Sequence, residues 1–291
     1  MIDYVITGIT SGCIIALGAI GLTLTFGILR FANLSHGDLV GVCAYIGLAC
    51  ERFFYSLFNN IYAAAIAAAI GAIIGGSLIG LGFEKIVWRP LRGRGGSLVA
   101  MLIVSVGIAI ASRHVLMAIA GPGLYFYEIP PKIFHLGDVR ITSVQILVVA
   151  AAVAAMLFLY YILQRTKLGK AMRATSDEPA LAKVSGIDVN RVINWMWIIG
   201  MGLAGLAGFL YGLQSALRPG MGFYLLLPMF AAVILGGIGN PYGAMLGGLT
   251  IGLAQDLSLI FLPAEYKIAV SFVVMIVVLI FRPRGIMGKV T

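Results

Sequence analysis

The longest uncharged run in the sequence, residues 219–255, contains 37 residues. As one α-helix it would extend about 56 Å at about 1.5 Å per residue, nearly twice the hydrocarbon core of about 30 Å. The run must fold back on itself, and Gly236-Gly237-Ile238-Gly239-Asn240-Pro241-Tyr242-Gly243 is spelled for a turn. Other uncharged runs cover 4–29, 53–83, 95–112, 141–164, 192–217 and 268–281, with a shorter one at 39–50 between Asp38 and Glu51. Since a crossing helix needs about 20 apolar residues, these runs give crossings near 4–29, 38–58, 62–83, 97–120, 142–163, 192–214, 223–238, 243–262 and 264–281. The expected fold is an all-α polytopic integral membrane protein with about nine transmembrane helices, in a range of eight to ten, some of them discontinuous.

Composition excludes a soluble domain, with 61% hydrophobic and 11% charged residues where a globular chain carries about 25% charged. The 38 glycines follow no collagen period and suit helices whose backbones approach closely in a bilayer. A net charge of +9 lacks the soluble basic face that nucleic-acid binding needs, and its distribution reports topology. Arg30, Lys85, Arg89, Arg92, Arg94, Arg165, Lys167, Lys170, Arg173, Lys183, Arg191, Arg282, Arg284 and Lys289 fall in one set of inter-span segments. The opposite set holds only Arg52, Lys132, Arg140, Arg218 and Lys267. The positive-inside rule places the richer set in the cytoplasm, with the N-terminus outside and the C-terminus cytoplasmic. Arg113 and His114, left within a span, read as anchors at the outer interface. Met1-Ile2-Asp3-Tyr4 lacks the basic n-region of a signal peptide, so the first span is expected to be retained. Cys13, Cys43 and Cys50 sit in or beside apolar runs, as small packing residues do.

Two extramembrane segments are long enough to carry function. The outer one, 121–141, has Gly121-Pro122-Gly123 and Pro130-Pro131 as breakers and is expected to be a loop, either plain or in contact with an external partner. The inner one, 164–192, holds no stretch apolar enough to insert. Within it Asp177-Glu178-Pro179 has the grammar of a helix start. Ala180, Leu181, Ala182 and Val184 would form a short helix that Gly186 ends. Such a helix is either a docking surface for a protein or an amphipathic helix held at the lipid headgroups.

Within the spans, Ser35-His36-Gly37-Asp38 matches a capping box, with Ser35 as N-cap and Asp38 reaching back to it. The uncharged run before Arg30 puts this turn near the inner interface. Capping and packing explain it; so does a role in gating or substrate passage, since broken helices hold substrates in transporters. Asn33, Ser35, His36, Gly37 and Asp38 are therefore candidates for a path or gate. Gly236, Gly237, Gly239 and Pro241 are further candidates, as a structural hairpin turn or as a discontinuous helix beside a path. Asp256 is expected to make a polar helix contact near the outer end of its span. No Ser/His arrangement or ligand-spaced cluster supports catalytic or metal chemistry.

Glu178-Pro179-Ala180-Leu181-Ala182 followed by Gly186-Ile187 is similar to the coupling loop of ABC importer permeases, where an acidic residue and alanines precede a glycine. GLTLTFGILRFANLSHGDLVGVCAY, from Gly21 to Tyr45, resembles the signature of the branched-chain amino acid permease family, a Gly-Leu-x-Leu-x-x-Gly run followed by Asn-x-x-His-Gly. RTKLGKAMRATSDEPALAKVSGID and ILGGIGNPYGAMLGG also resemble that family, and the length suits the shorter of its two permease types. The resemblance implies one permease domain over 1–291 with 164–192 as its coupling segment, in a bacterial inner membrane. It implies a non-enzymatic subunit that passes branched-chain or other apolar amino acids from a periplasmic solute-binding protein. Its further partners would be membrane lipid, a second homologous permease and two cytoplasmic ATPase subunits that bind ATP and Mg. Asp177, Glu178, Pro179, Ala180, Ala182 and Gly186 would then meet the ATPases. The nearest approach to a phosphate loop is Gly169-Lys170-Ala171, so nucleotide chemistry has to come from a partner. A urea or short-amide permease of the same family is the alternative, and an ion-coupled secondary carrier is the rival from another class.

Overall fold

The computed structural model describes residues 1–136 and 139–288; Lys289, counted above with the inner basic set, lies outside them. The chain forms α1 (Ile2–Leu29), α2 (His36–Phe58), α3 (Ile61–Phe83), α4 (Arg89–Gly93), α5 (Leu98–Ala120), α6 (Ser143–Arg165), α7 (Lys167–Asp177), α8 (Pro179–Val184), α9 (Val189–Gln214), α10 (Met221–Gly236), α11 (Pro241–Ser258) and α12 (Lys267–Phe281). Helices occupy most of each expected crossing, although α10 stops at Gly236 and α11 at Ser258, short of the expected 238 and 262. Among the described residues seven helical stretches are long and apolar enough to cross a membrane: α1, α2, α3 with its continuation to Gly93, α5, α6, α9, and α12 with the turn before it. Helix α10 is apolar but has 16 residues. The 18 residues of α11 include Gln255, Asp256 and four glycines, which dilute its hydropathy.

Small residues set the packing. Helices α1 and α11 touch backbone to backbone, and a β-carbon on Gly252 would collide with the main chain of Gly12. Helix α3 separates two apolar stripes. Ala64, Ala68, Ala72, Gly76 and Gly80 are buried against α2 and α9, while Ile66, Ile70, Ile74 and Leu78 are exposed. Both stripes are hydrophobic, so size rather than polarity distinguishes the protein face from the lipid face. Helices α1 and α9 form the interior, and α12 lies at the periphery, where Ser271 is its one fully buried residue and Val273, Ile276, Val277 and Ile280 are exposed.

The two ends of the bundle differ. One end gathers the tips of α1 and α6, helices α7 and α8, the α10–α11 turn and the chain around 285–288; it carries most of the basic residues and is termed the basic end. At the far end Ser11 donates to Asp256 Oδ2 at 2.9 Å, and Asp256 also pairs with Lys267, the polar helix contact expected there. Segment 121–141 is more ordered than a plain loop. Strands β1 (Ile133–Leu136) and β2 (Val139–Thr142) pair antiparallel with Ile133 opposite Thr142 and His135 opposite Arg140. Their β-branched and aromatic residues favour this; residues 137–138 lie outside the described residues. The true capping box is Thr142 with Gln145, which starts α6.

A buried carboxylate marks the basic end of α3. The helix does not stop at its first charges but continues through a π turn, Glu84–Trp88. Glu84, 1% exposed, pairs with Arg92 and accepts from Trp197 Nε1 at 2.9 Å. Trp88 stacks parallel to Trp197 with ring centroids 6.3 Å apart, and Phe31 packs against it at 4.9 Å with its ring tilted by 46°. Glu84→Ala is expected to strand both donors at a cost of about 3–5 kcal/mol, whereas Glu84→Gln keeps an acceptor for Trp197 and costs less. Thermal unfolding in detergent checks this, and equal melting of the two variants would contradict it.

Candidate functional site

Sequence reasoning places the Ser35–Asp38 turn near the inner interface; the structure puts it deep inside the bundle. Helix α1 ends at Arg30, whose φ of 56° reverses the chain. Residues 30–35 then run back along α1 until His36 Nε2 meets Gly18 O at 3.0 Å. The His36 ring also lies against Gly21, so the first residue of α2 reaches α1 between Gly18 and Gly21, roughly 12–16 Å above the end of α1. Glycines make room for it. A β-carbon on Gly37 would strike the Gly222 carbonyl of α10, and one on Gly21 would strike the Gly200 carbonyl of α9.

The expected capping box is absent at this turn. Ser35 itself is helical in backbone and makes no side-chain cap bond; its hydroxyl donates to Asn33 Oδ1 at 2.6 Å instead. Asp38 does not reach back, because Arg113 holds it in a fork, Nε to Oδ1 and Nη2 to Oδ2, each at 3.0 Å. A guanidinium with two aligned donors outcompetes a single backbone N–H. Arg113 is thus no outer-interface anchor but half of a buried ion pair with Asp38, 75 residues away in sequence. The usable signal was that a span holding one Arg needs an acid from another span. Leu34 N donates to Ser105 Oγ at 3.1 Å, fastening the same segment to α5. His36 is fully buried; since Gly18 O only accepts, Nε2 carries the proton and Nδ1 is an acceptor. Neither His36 Nδ1 nor Asn33 Nδ2 has a hydrogen-bond partner among the described residues. A polar, interrupted helix start thus lies at mid-depth between α1, α9 and α10.

The second arrangement lies at the basic end. The expected short helix is α8, with Pro179 at its first position and Gly186 beyond its end at φ 83°. Sequence reasoning missed α7, whose Gly169, Met172 and Thr175 are buried. Ser176 Oγ donates to Gly27 O at 2.9 Å, and Arg30 Nη2 donates to Asp177 O at 3.2 Å. These bonds lock the segment to the tip of α1. Among the coupling candidates Ala182 is buried at 4%, facing inward, and Pro179 is half-buried. Asp177, Glu178, Ala180 and Gly186 are exposed, together with Leu181 at 64% and Val184 at 86%.

The Gly236–Gly243 stretch is a tight hairpin between α10 and α11. Gly237 and Gly239 have φ of 104° and 83°, a region closed to most side chains. Asn240 caps α11, accepting from Tyr242 N at 3.0 Å and Gly243 N at 3.2 Å, and Pro241 takes the first helical position. Residues 286 and 287 donate to the Leu235 and Gly236 carbonyls, which α10 itself leaves without partners. Between this hairpin, α7 and the tip of α1 lies a cavity of about 600 Å³ lined by Thr23, Gly27, Arg30, Arg173, Gly239 and Tyr242, among others. Of the coupling candidates it reaches only Asp177, together with Gly239 and Pro241, while Asn33–Asp38 lie apart, deeper in the bundle.

At the far end Tyr127 closes the bundle. Its ring meets Phe209 edge-on at 5.2 Å, and its hydroxyl donates to Ala44 O at 2.7 Å. Burial, reinforced by the nearby Glu51 carboxylate, pushes its ionisation well above the usual tyrosine range, so it stays a neutral donor. Within segment 121–132 Tyr127 alone is buried, pinning an otherwise largely exposed connection to the bundle.

With this geometry in place, comparison with known proteins is specific. The family described as "Branched-chain amino acid transport system / permease component" matches residues 4–279. The high-affinity branched-chain amino acid transport system permease protein BraD of Pseudomonas aeruginosa is 32% identical, over 99% of this chain and 96% of its own. LivH of Escherichia coli K12, named likewise, is 31% identical over the same shares. A probable LivH of Methanocaldococcus jannaschii is 28% identical over 94% of this chain and 89% of its own.

Proposed function

The chain belongs to the branched-chain amino acid transport permease family, and on that premise we propose that it is the membrane subunit of an ATP-driven importer for branched-chain or other apolar amino acids. In this reading the basic end faces the cytoplasm, the N-terminus lies outside, and α10 and α11 complete nine crossings in one permease domain. A second, homologous permease pairs with it, two ATPase subunits dock at the basic end, and a solute-binding protein delivers cargo to the far end.

The observation that carries this reading is the bare apolar pair on α8. Leu181 and Val184 are exposed on a six-residue helix outside the seven membrane-capable stretches. Apolar side chains in that position suit a protein partner. A push on α8 would travel by two routes. Through α7 it reaches Gly27 and Arg30 of α1, and through the short connection after Gly186 it reaches α9. Both helices bound the mid-depth start of α2, where Gly21, Gly37, Gly200 and Gly222 bring backbones into contact. A rigid shift of α1 or α9 would therefore alter the packing around the buried Asn33–Asp38 segment.

The test is reconstitution of this chain with its genomic neighbours in proteoliposomes. Uptake of leucine, isoleucine or valine is expected only with binding protein outside and ATP available to the ATPases. Uptake by this chain alone on an ion gradient would defeat the reading, and ATP-driven uptake of urea in place of amino acids would move the substrate class.

A further inference from the structure

Arg113 occupies a place where a lipid-facing arginine is not tolerated. It lies seven residues before the end of α5, about 10 Å inside the helix end, and its side chain is 28% exposed. A guanidinium facing hydrocarbon at such depth costs several kcal/mol and normally snorkels toward the headgroups. This one cannot, because both Nε and Nη2 are fixed at 3.0 Å on Asp38, which is 1% exposed. The surroundings are not built for lipid either. Phe223 of α10, 45% exposed, carries the guanidinium 5.2 Å from its ring, and next to it Arg218 lies 4.8 Å over the ring of the half-exposed Tyr224. Helix α5 packs mainly on α2, so this charged and aromatic surface is open to one side.

We propose that the face formed by Arg113 and Phe223, backed by the buried Asp38, lines a water-filled translocation path, and that Arg113 receives the carboxylate of the amino acid in transit. The proposal rests on the importer reading above and adds to it a site and a recognised group. The chemistry fits at three points. Arginine offers five N–H donors in a planar fork suited to carboxylates; Asp38 takes two, and no hydrogen bond engages Nη1 among the described residues. The Phe223 ring supplies an apolar wall for an aliphatic side chain. Asp38 neutralises the guanidinium, so a passing carboxylate is held weakly enough to leave, as conduction requires.

The test uses the complete importer in proteoliposomes with saturating binding protein and ATP. Replacing both charges together, Asp38→Asn with Arg113→Gln, leaves no unpaired buried charge and so preserves the fold. It is expected to lower uptake at least ~10-fold, the equivalent of about 1.4 kcal/mol of lost interaction, while ATP hydrolysis stimulated by binding protein continues. Wild-type uptake by this double variant would overturn the carboxylate role. In a Cys50→Ser background, Phe223→Cys is expected to react with a membrane-impermeant cationic thiol reagent, and Ile70→Cys, on the lipid face of α3, is not. An unreactive Phe223→Cys both without nucleotide and with ATP would overturn the path. Failure of the importer reading looks different, because the unaltered assembly would then show no ATP-driven uptake at all.

Discussion

Replacing Leu181 and Val184 together with aspartate should abolish ATP-driven uptake while the membrane domain stays folded. Both side chains are exposed, at 64% and 86%, so the substitution removes no internal packing, and exposed positions tolerate such changes within about 0.5 kcal/mol. At an interface the same change is severe. Each aspartate would be buried without a partner where an apolar anchor had been, and anchors of this kind contribute about 2 kcal/mol or more. Two of them weaken docking at least ~100-fold. Co-purification of the ATPases and stimulated hydrolysis should fall together with uptake, and the melting temperature of the isolated permease should not change. Normal uptake by the folded double variant would show that α8 does not receive the ATPases. Ala182→Asp is the informative contrast: Ala182 is 4% exposed, so its replacement should disturb α8 itself and lower the melting temperature as well.

The residues of α8 show why part of this molecule could be read in advance. Pro179 and Gly186 are local signals, each tied to one helix end, and they located the helix correctly. Seven of the expected crossings were equally legible among the described residues, because hydropathy over a window depends only on neighbours in sequence. Depth was not. Hydropathy gives the length of a run, but only the reversal at Arg30 and the climb of residues 30–35 reveal that the first residue of α2 meets α1 at Gly18–Gly21. Pairing was hidden for the same reason. Asp38 next to Ser35 satisfies a local pattern, and the stronger bidentate partner comes from α5. Charges also mislead about helix ends when they are paired: Glu84 looks like the edge of a span, yet it is buried within a continuing helix. Helix α7 escaped notice because its inward positions, Gly169, Met172 and Thr175, are small or polar and leave little hydropathy.

The mid-depth start of α2 makes the sharpest demand on sequence, and a pair of glycine substitutions four residues apart on that helix isolates it. In Gly37→Ala the added carbon would collide with the Gly222 carbonyl oxygen and lie 2.7 Å from Leu226 Cβ. The first of these is backbone, so no rotamer change relieves it, and α2 must move away from α10. That movement also pulls His36 from Gly18 and Asp38 from Arg113, because these bonds belong to the same turn. Overpacking of this kind costs about 1–3 kcal/mol, and the coupled loss of a buried ion pair adds to it. In Gly41→Ala, one turn further along, the nearest atoms lie 3.7 to 3.9 Å away, which is ordinary contact. Alanine there gains up to about 1 kcal/mol of helix propensity. Gly37→Ala should therefore lower both the melting temperature and uptake, and Gly41→Ala should lower neither. Equal behaviour of the two would mean that α2 and α10 do not meet at this depth. Because Gly37 touches α10 while α1 and α9 carry the push from α8, a Gly37→Ala protein that still folds should keep ATPase docking and lose transport, whereas the α8 variant should lose both.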